Sequence, residues 1–156
     1  MNMQKQRIYI DTSVIGGCFD EEFQKWSNKL FDEFISGKHI AVISDLTIAE
    51  LNRASKEVAG KLLQLPEENI EYVFRNEESN YLASKYIENG ALSNKYYEDA
   101  HHIALATINN SNILVSWNFK HIVNMSRITI YNSVNILLNY KTIEIRSPME
   151  VVEYED

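Results

Sequence analysis

The spacing of hydrophobic positions changes period several times along the chain. Ile8-Tyr9-Ile10 is a short β-branched and aromatic run that leads into Asp11-Thr12-Ser13. It predicts a buried strand over 7–11, with Asp11 as its last residue and a loop after it. Gly16-Gly17 then breaks the chain. From Glu21 to Ser36, Phe23, Trp26, Leu30 and Phe34 recur at helical spacing, and Gly37 is a natural stop. His39 to Ser44 is a second buried strand. Ser44 or Asp45 can cap the next helix, which carries Leu46, Ile48, Ala49, Glu50 and Leu51. A further helix over 56–64 ends before Pro66, and Ile70 to Phe74 forms a third strand.

The second half continues the alternation. Glu77 to Asn89 is helical and Gly90 ends it. Another helix runs from near Ser93 through Tyr97, Asp99, Ile103 and Ala106 to about Asn109. Ile113 to Ser116 is a fourth strand. Val123 to Tyr140 fits either helix or irregular chain, and Ile143 to Arg146 a last strand before Ser147-Pro148. Strands alternating with helices imply a mostly parallel sheet with helices on its faces. Sites in such sheets lie outside the carboxyl ends of the strands. Neither an internal repeat nor a domain boundary is visible, so residues 1–156 are expected to form one domain.

Composition narrows the class. The chain is 45% hydrophobic and 24% charged, as in ordinary globular proteins. One cysteine, Cys18, excludes an internal disulfide and reads as a packed or idle thiol in a reducing compartment. No leader pattern and no stretch of about 18 apolar residues occurs, so a cytoplasmic protein without a membrane span is expected. The net charge of −7 counts against a generic nucleic-acid coat, which would be basic. It counts less against a nuclease whose metal site is itself acidic.

Three acids fall where the pattern places a site. Asp11 ends the first strand, Glu50 lies in the helix after the second, and Asp99 lies near the start of the helix before the fourth. Asn118 follows that fourth strand closely. Singly, each has a bland explanation as a turn cap, a solvated side chain or a complement to a helix dipole. Their neighbours are apolar, however, and carboxylates in apolar surroundings are unfavourable unless paired with cations. Mg²⁺ or Mn²⁺ would solve this, since both prefer oxygen ligands. Such an ion lowers the pKa of a bound water and stabilises a phosphoryl transition state.

The segments Ile8-Tyr9-Ile10-Asp11-Thr12-Ser13, Thr47-Ile48-Ala49-Glu50-Leu51, Asp99 to Ala106 and Ile113 to Asn118 resemble, in order and spacing, the motifs of PIN domains. Bacterial VapC-like proteins are the nearest resemblance, from about Arg7 to Pro148. It implies a three-layer α/β/α fold with a mostly parallel central sheet. It further implies a Mg²⁺- or Mn²⁺-dependent endoribonuclease, with Asp11, Glu50 and Asp99 as metal-binding and catalytic acids. Thr12, Ser13 and Ser116 would support the site. Many relatives are toxins held by an antitoxin protein, and many are homodimers. The family usually has a fourth carboxylate; here Asn118 or His121 stands at that place, depending on the loop alignment. Ser116-Trp117-Asn118-Phe119-Lys120-His121-Ile122 is similar to a PIN subgroup that carries Asn there, which keeps Asn118 among the catalytic candidates.

Other residues invite weaker readings. His101 and His102 are adjacent, about 100° apart on a helix, so one is expected to pack and one to face solvent. His39 reads as a strand-edge residue. Lys120, His121, Arg127 and Arg53 are candidates for RNA phosphates, and Trp117 for stacking on an unpaired base. The acidic end, Glu150 to Asp156, reads as a solvated tail. Among competing functions, a PIN-fold binding module with little or no catalysis remains open. A haloacid-dehalogenase-type phosphatase would need an acid where Ser13 stands. Neither a P-loop nor a Gly-x-Ser-x-Gly turn is present.

Overall fold

The computed structural model describes residues 5–155. Five parallel strands form one sheet: β1 (Gln6–Ile10), β2 (His39–Ser44), β3 (Ile70–Val73), β4 (Ile113–Val115) and β5 (Glu144–Arg146), in the order β3-β2-β1-β4-β5. Among the described residues, eight α-helices complete it: α1 (Thr12–Gly17), α2 (Gln24–Ile35), α3 (Asp45–Leu51), α4 (Lys56–Gly60), α5 (Glu77–Glu88), α6 (Tyr97–Ile108), α7 (Met125–Leu137) and α8 (Pro148–Val151).

Side-chain alternation along the central strands explains the layers. Ile8, Ile10, Ala41, Ile43 and Val115 point to one face, where they join Val14, Ile15, Leu30, Phe31 and Phe34 of α1 and α2. Tyr9, Val42 and Leu114 point to the other, against Leu82 and Tyr86 of α5, Ile103 of α6 and Tyr131 of α7. Strands buried on both faces read as the near-continuous apolar runs seen here. The expected three-layer α/β/α fold with a parallel sheet is therefore observed. Gly37 and Gly90 take left-handed φ values of +80° and +83° after α2 and α5, as their helix-stop reading requires.

Several expectations need correction. Asp11 does not end β1; it caps α1, accepting a hydrogen bond from the Val14 N–H. Gly16 and Gly17 do not break the chain but lie within that helix. The helix expected over 56–64 splits into α4 and a 3₁₀ turn, Lys61–Gln64. The ambiguous stretch 123–140 is the helix α7, capped by the Asn124 side chain. His39 stands at the start of β2, and it is buried and bonded to Glu33 Oε1 at 2.8 Å. Nor is the C-terminus simply a solvated tail. Ser147 and Glu150 form a capping box for α8, Val152 is buried, and the Glu153 N–H donates to Glu33. Asp156 and residues 1–4 lie outside the described residues.

Candidate functional site

The sheet order reverses beside β1. From β1 the chain builds outward through β2 to β3, then crosses to β4 on the opposite side. Ligands bind such sheets at that switch point, outside the carboxyl ends of the strands. Asp11 follows the end of β1, Ser116 follows the end of β4, and Ser44 ends β2.

Hydrogen bonds tie the candidates into one network. Ser116 Oγ donates to Asp11 Oδ2 at 2.6 Å, and Ser13 Oγ donates to Asp11 Oδ1 at 2.6 Å. Ser13 Oγ in turn accepts the Trp117 N–H, and Ser116 Oγ accepts the Asn118 N–H, both at 2.9 Å. Asn118 Oδ1 accepts the His121 N–H at 2.9 Å, and His121 Nδ1 lies 3.0 Å from Asp99 Oδ2. Across the site, Thr12 Oγ1 donates to Glu50 Oε1 at 3.1 Å. Thr12, Ser13 and Ser116 thus each donate to one of the candidate acids.

His102 is the residue that sequence reasoning missed. Its Nε2 lies 2.6 Å from Glu50 Oε1, and its Nδ1 lies 2.6 Å from the Tyr9 hydroxyl. Tyr9 continues to Ser44 Oγ at 2.7 Å. Both His101 and His102 are buried, which corrects the expectation that one would face solvent. His101 bonds Ser79 Oγ, and burial lowers its pKa to about 4, so it stays neutral. The signal for His102 was its place one turn after Asp99 on α6. Only the fold supplied Glu50 as its partner.

Electrostatics follow from burial and pairing. Burial raises the pKa of Asp11, opposed by His102 and by the Ser116, Ser13 and Val14 hydrogen bonds. Burial alone would raise Glu50, but its bond to His102, with Thr12 and Arg53, carries it below the ordinary value. Burial would lower His102, yet the bond to Glu50 and the charges of Glu50, Asp11 and Asp99 together raise it. All three acids thus act on one imidazole.

The donor set suits a hard cation. Among the described residues, Glu50 Oε2 and Asp99 Oδ1 accept no hydrogen bond, and both carboxylates are partly exposed. Asp11 keeps lone pairs beyond those its hydroxyl donors use. As placed, the described residues form no ready-made cluster of three ligating acids, histidines or cysteines. Glu50 is turned to His102, and Asp99 to His121.

The outer candidates fare unevenly. Trp117 is buried, stacked on Phe23 with centroids 4.2 Å apart, and its indole N–H donates to Ser27. That placement corrects its role as an open stacking platform. His121 is buried too, under the Tyr96 ring, so it is not a phosphate contact at the surface. Arg127 gives its guanidinium N–H groups to the Lys120 and Ala91 carbonyls. Lys120 remains exposed, and Arg53 pairs with Glu98 at 3.8 Å.

The fold is that of the VapC-like PIN domains. It is similar to VapBC2 of Rickettsia felis, solved bound to a DNA fragment from its promoter, with TM-score 0.58, 15% identity and 91% of this chain covering 98% of that one. FitAcB of Neisseria gonorrhoeae gives TM-score 0.58 at 12% identity, over 92% of this chain and 99% of that one. The sarcin-ricin loop cleaving toxin VapC20 of Mycobacterium tuberculosis gives 0.56 at 14% identity, over 73% and 92%. No protein-family model and no curated protein matches the sequence.

Proposed function

We propose that this protein is a Mg²⁺- or Mn²⁺-dependent endoribonuclease that cleaves RNA phosphodiester bonds. The observation that carries it is the hydrogen-bond network at the sheet's switch point, which links Asp11 through Ser116, Asn118 and His121 to Asp99 and holds Glu50 against Thr12. Asp11, Glu50 and Asp99 would hold the ion, which when bound supplies a Lewis acid and an acidified water. Ser116 and Ser13 fix the Asp11 carboxylate in one orientation. His102 and Thr12 hold Glu50 Oε1 and leave Oε2 open, while His121 holds Asp99 Oδ2 and leaves Oδ1 open. Such outer partners orient ligating carboxylates. Tyr9, itself bonded to Ser44, holds the His102 ring through Nδ1.

The likeness to VapBC2 and FitAcB, solved with VapB and FitA antitoxins, supports a toxin restrained by a small antitoxin protein. A homodimer in the cytoplasm fits that role. No helix among the described residues is long and apolar enough to cross a membrane. A second reading, a PIN-fold binding module with weak or no catalysis, is favoured by Asn118. Its Oδ1 is committed to the His121 N–H, and it brings no negative charge.

Cleavage of a labelled single-stranded RNA with Mn²⁺ or Mg²⁺ decides between them. Metal-dependent cutting that disappears in Asp11→Asn supports the nuclease. No cutting by folded, partner-free wild type moves the assignment to the binding module.

A further inference from the structure

Gly16 has no reason within the fold to be glycine. It lies in helix α1, its φ is not positive, and a Cβ added there meets no atom within 4 Å. Glycine disfavours helix relative to alanine. Its neighbour Gly17 is the opposite case, since an added Cβ would lie 2.6 Å from Ser27 Oγ and 2.7 Å from Trp117 Nε1. The space above Gly16 is therefore open although the local structure does not need it open. A glycine of this kind permits close approach of a ligand to the backbone.

That space belongs to a cavity of about 520 Å³ lined by Ser13, Gly16, Asp20, Phe23, Trp117 and Asn118, among others. Its size is in the range of small-ligand pockets, about 300–1,000 Å³. Ser13 and Asn118 belong to the hydrogen-bond network of Asp11, so an occupant would sit beside that carboxylate. Phe23, partly exposed, is backed by the buried Trp117 ring, and Phe119, half exposed, stands 6.5 Å and 6.1 Å from the Phe23 and Trp117 ring centres.

Resting on the nuclease reading above, we propose that this cavity receives one unpaired nucleobase of the RNA strand, against the partly exposed Phe23 ring, which the buried Trp117 backs, and with an exocyclic amino group toward Asp20. Charge selects a base over a phosphate, because Asp20 would repel the backbone. One Asp20 oxygen accepts the Glu22 N–H, and the other has no partner among the described residues. The Asn118 amide N–H₂ likewise donates to no described residue, so it can serve a base acceptor. The net charge of −7 points the same way. With few phosphate contacts to supply affinity, stacking on aromatic side chains has to carry more of it.

Amide and indole NMR of the labelled protein, titrated with adenosine, cytidine or ribose 5-phosphate, tests the site without requiring cleavage. The expected result is shifts at Gly16, Asp20 and the Trp117 indole with a nucleoside, none with ribose 5-phosphate, and loss of those shifts in Gly16→Val. Gly16→Ala, expected to unfold no earlier than wild type, guards against a folding artefact and should weaken the nucleoside response. Shifts retained in Asp11→Asn, with cleavage lost, would separate base binding from chemistry. Shifts with ribose 5-phosphate alone, or an unchanged response in Gly16→Val, would overturn the proposal. So would no response to any nucleoside, which would leave the cavity to a partner peptide. An inactive wild type that still shows the nucleoside shifts would sink the nuclease reading alone.

Discussion

Ser116→Ala removes one hydroxyl from the centre of the site. Ser116 is fully buried and donates to Asp11 Oδ2 at 2.6 Å, while its oxygen accepts the Asn118 N–H. A hydrogen bond to a charged group contributes about 1.5–3 kcal/mol, and the orphaned Asn118 N–H adds to the loss. A total of about 3 kcal/mol, toward the low end of the two losses together, corresponds to a fall in Tm of about 6–12 °C for a chain of this length. Removing an orienting partner of a ligating group also weakens metal affinity, about 10–100-fold where it has been measured. Thermal unfolding by circular dichroism and Mn²⁺ titration by calorimetry read the two effects. The decisive control is the same substitution in Asp11→Asn, where the bond becomes neutral and its loss falls to about 0.5–1.5 kcal/mol. A Tm within about 1 °C of wild type, or equal losses in both backgrounds, would refute the reasoning.

Gly17→Ala should be destabilised by about 1–3 kcal/mol, because its Cβ overlaps Ser27 and the Trp117 indole; denaturant unfolding measures it. The Glu50–His102 pair makes stability pH-dependent. Glu50 sits below its ordinary value of 4.5, so its contribution is present above that pH and is lost as pH falls through the lower folded value. His102 sits above its ordinary 6.5, so its contribution is complete below 6.5 and is lost as pH rises through the higher folded value. Urea unfolding across pH should therefore show the largest deficit of His102→Gln between 4.5 and 6.5, narrowing on both sides; a pH-independent deficit contradicts the pairing. Asn118→Asp keeps the acceptor for the His121 N–H and adds a charge beside the acids, so Mn²⁺ should bind more tightly by calorimetry.

Much of the architecture was legible because local rules and the fold agree. The apolar runs at β1, β2 and β4 and the amphipathic stripe of α2 demand burial whatever surrounds them. Helix α1 was not legible. Two consecutive glycines argue for a break, yet the Asp11 cap and the burial of Val14 and Ile15 against α2 outweigh that preference. Trp117 looked accessible from its loop position, but the cleft between Phe23 and Ser27 buries it.

The candidate site divides along the same line. The sequence alone placed each carboxylate on its element, because strand and helix periods put Asp11 after the first strand, Glu50 in the helix after the second and Asp99 near the start of the helix before the fourth. It also determined that no fourth acid follows β4, since Asn118 is a matter of residue identity. Tertiary structure alone decided what each acid touches. Glu50 meets His102 across 52 residues, Asp11 meets Ser116 across 105, and Asp99 meets His121 across 22. Such pairs are fixed by sheet order and helix packing. The parallel crossover that seats β4 beside β1 is what brings Ser116 to Asp11, and no local preference of either residue encodes that meeting.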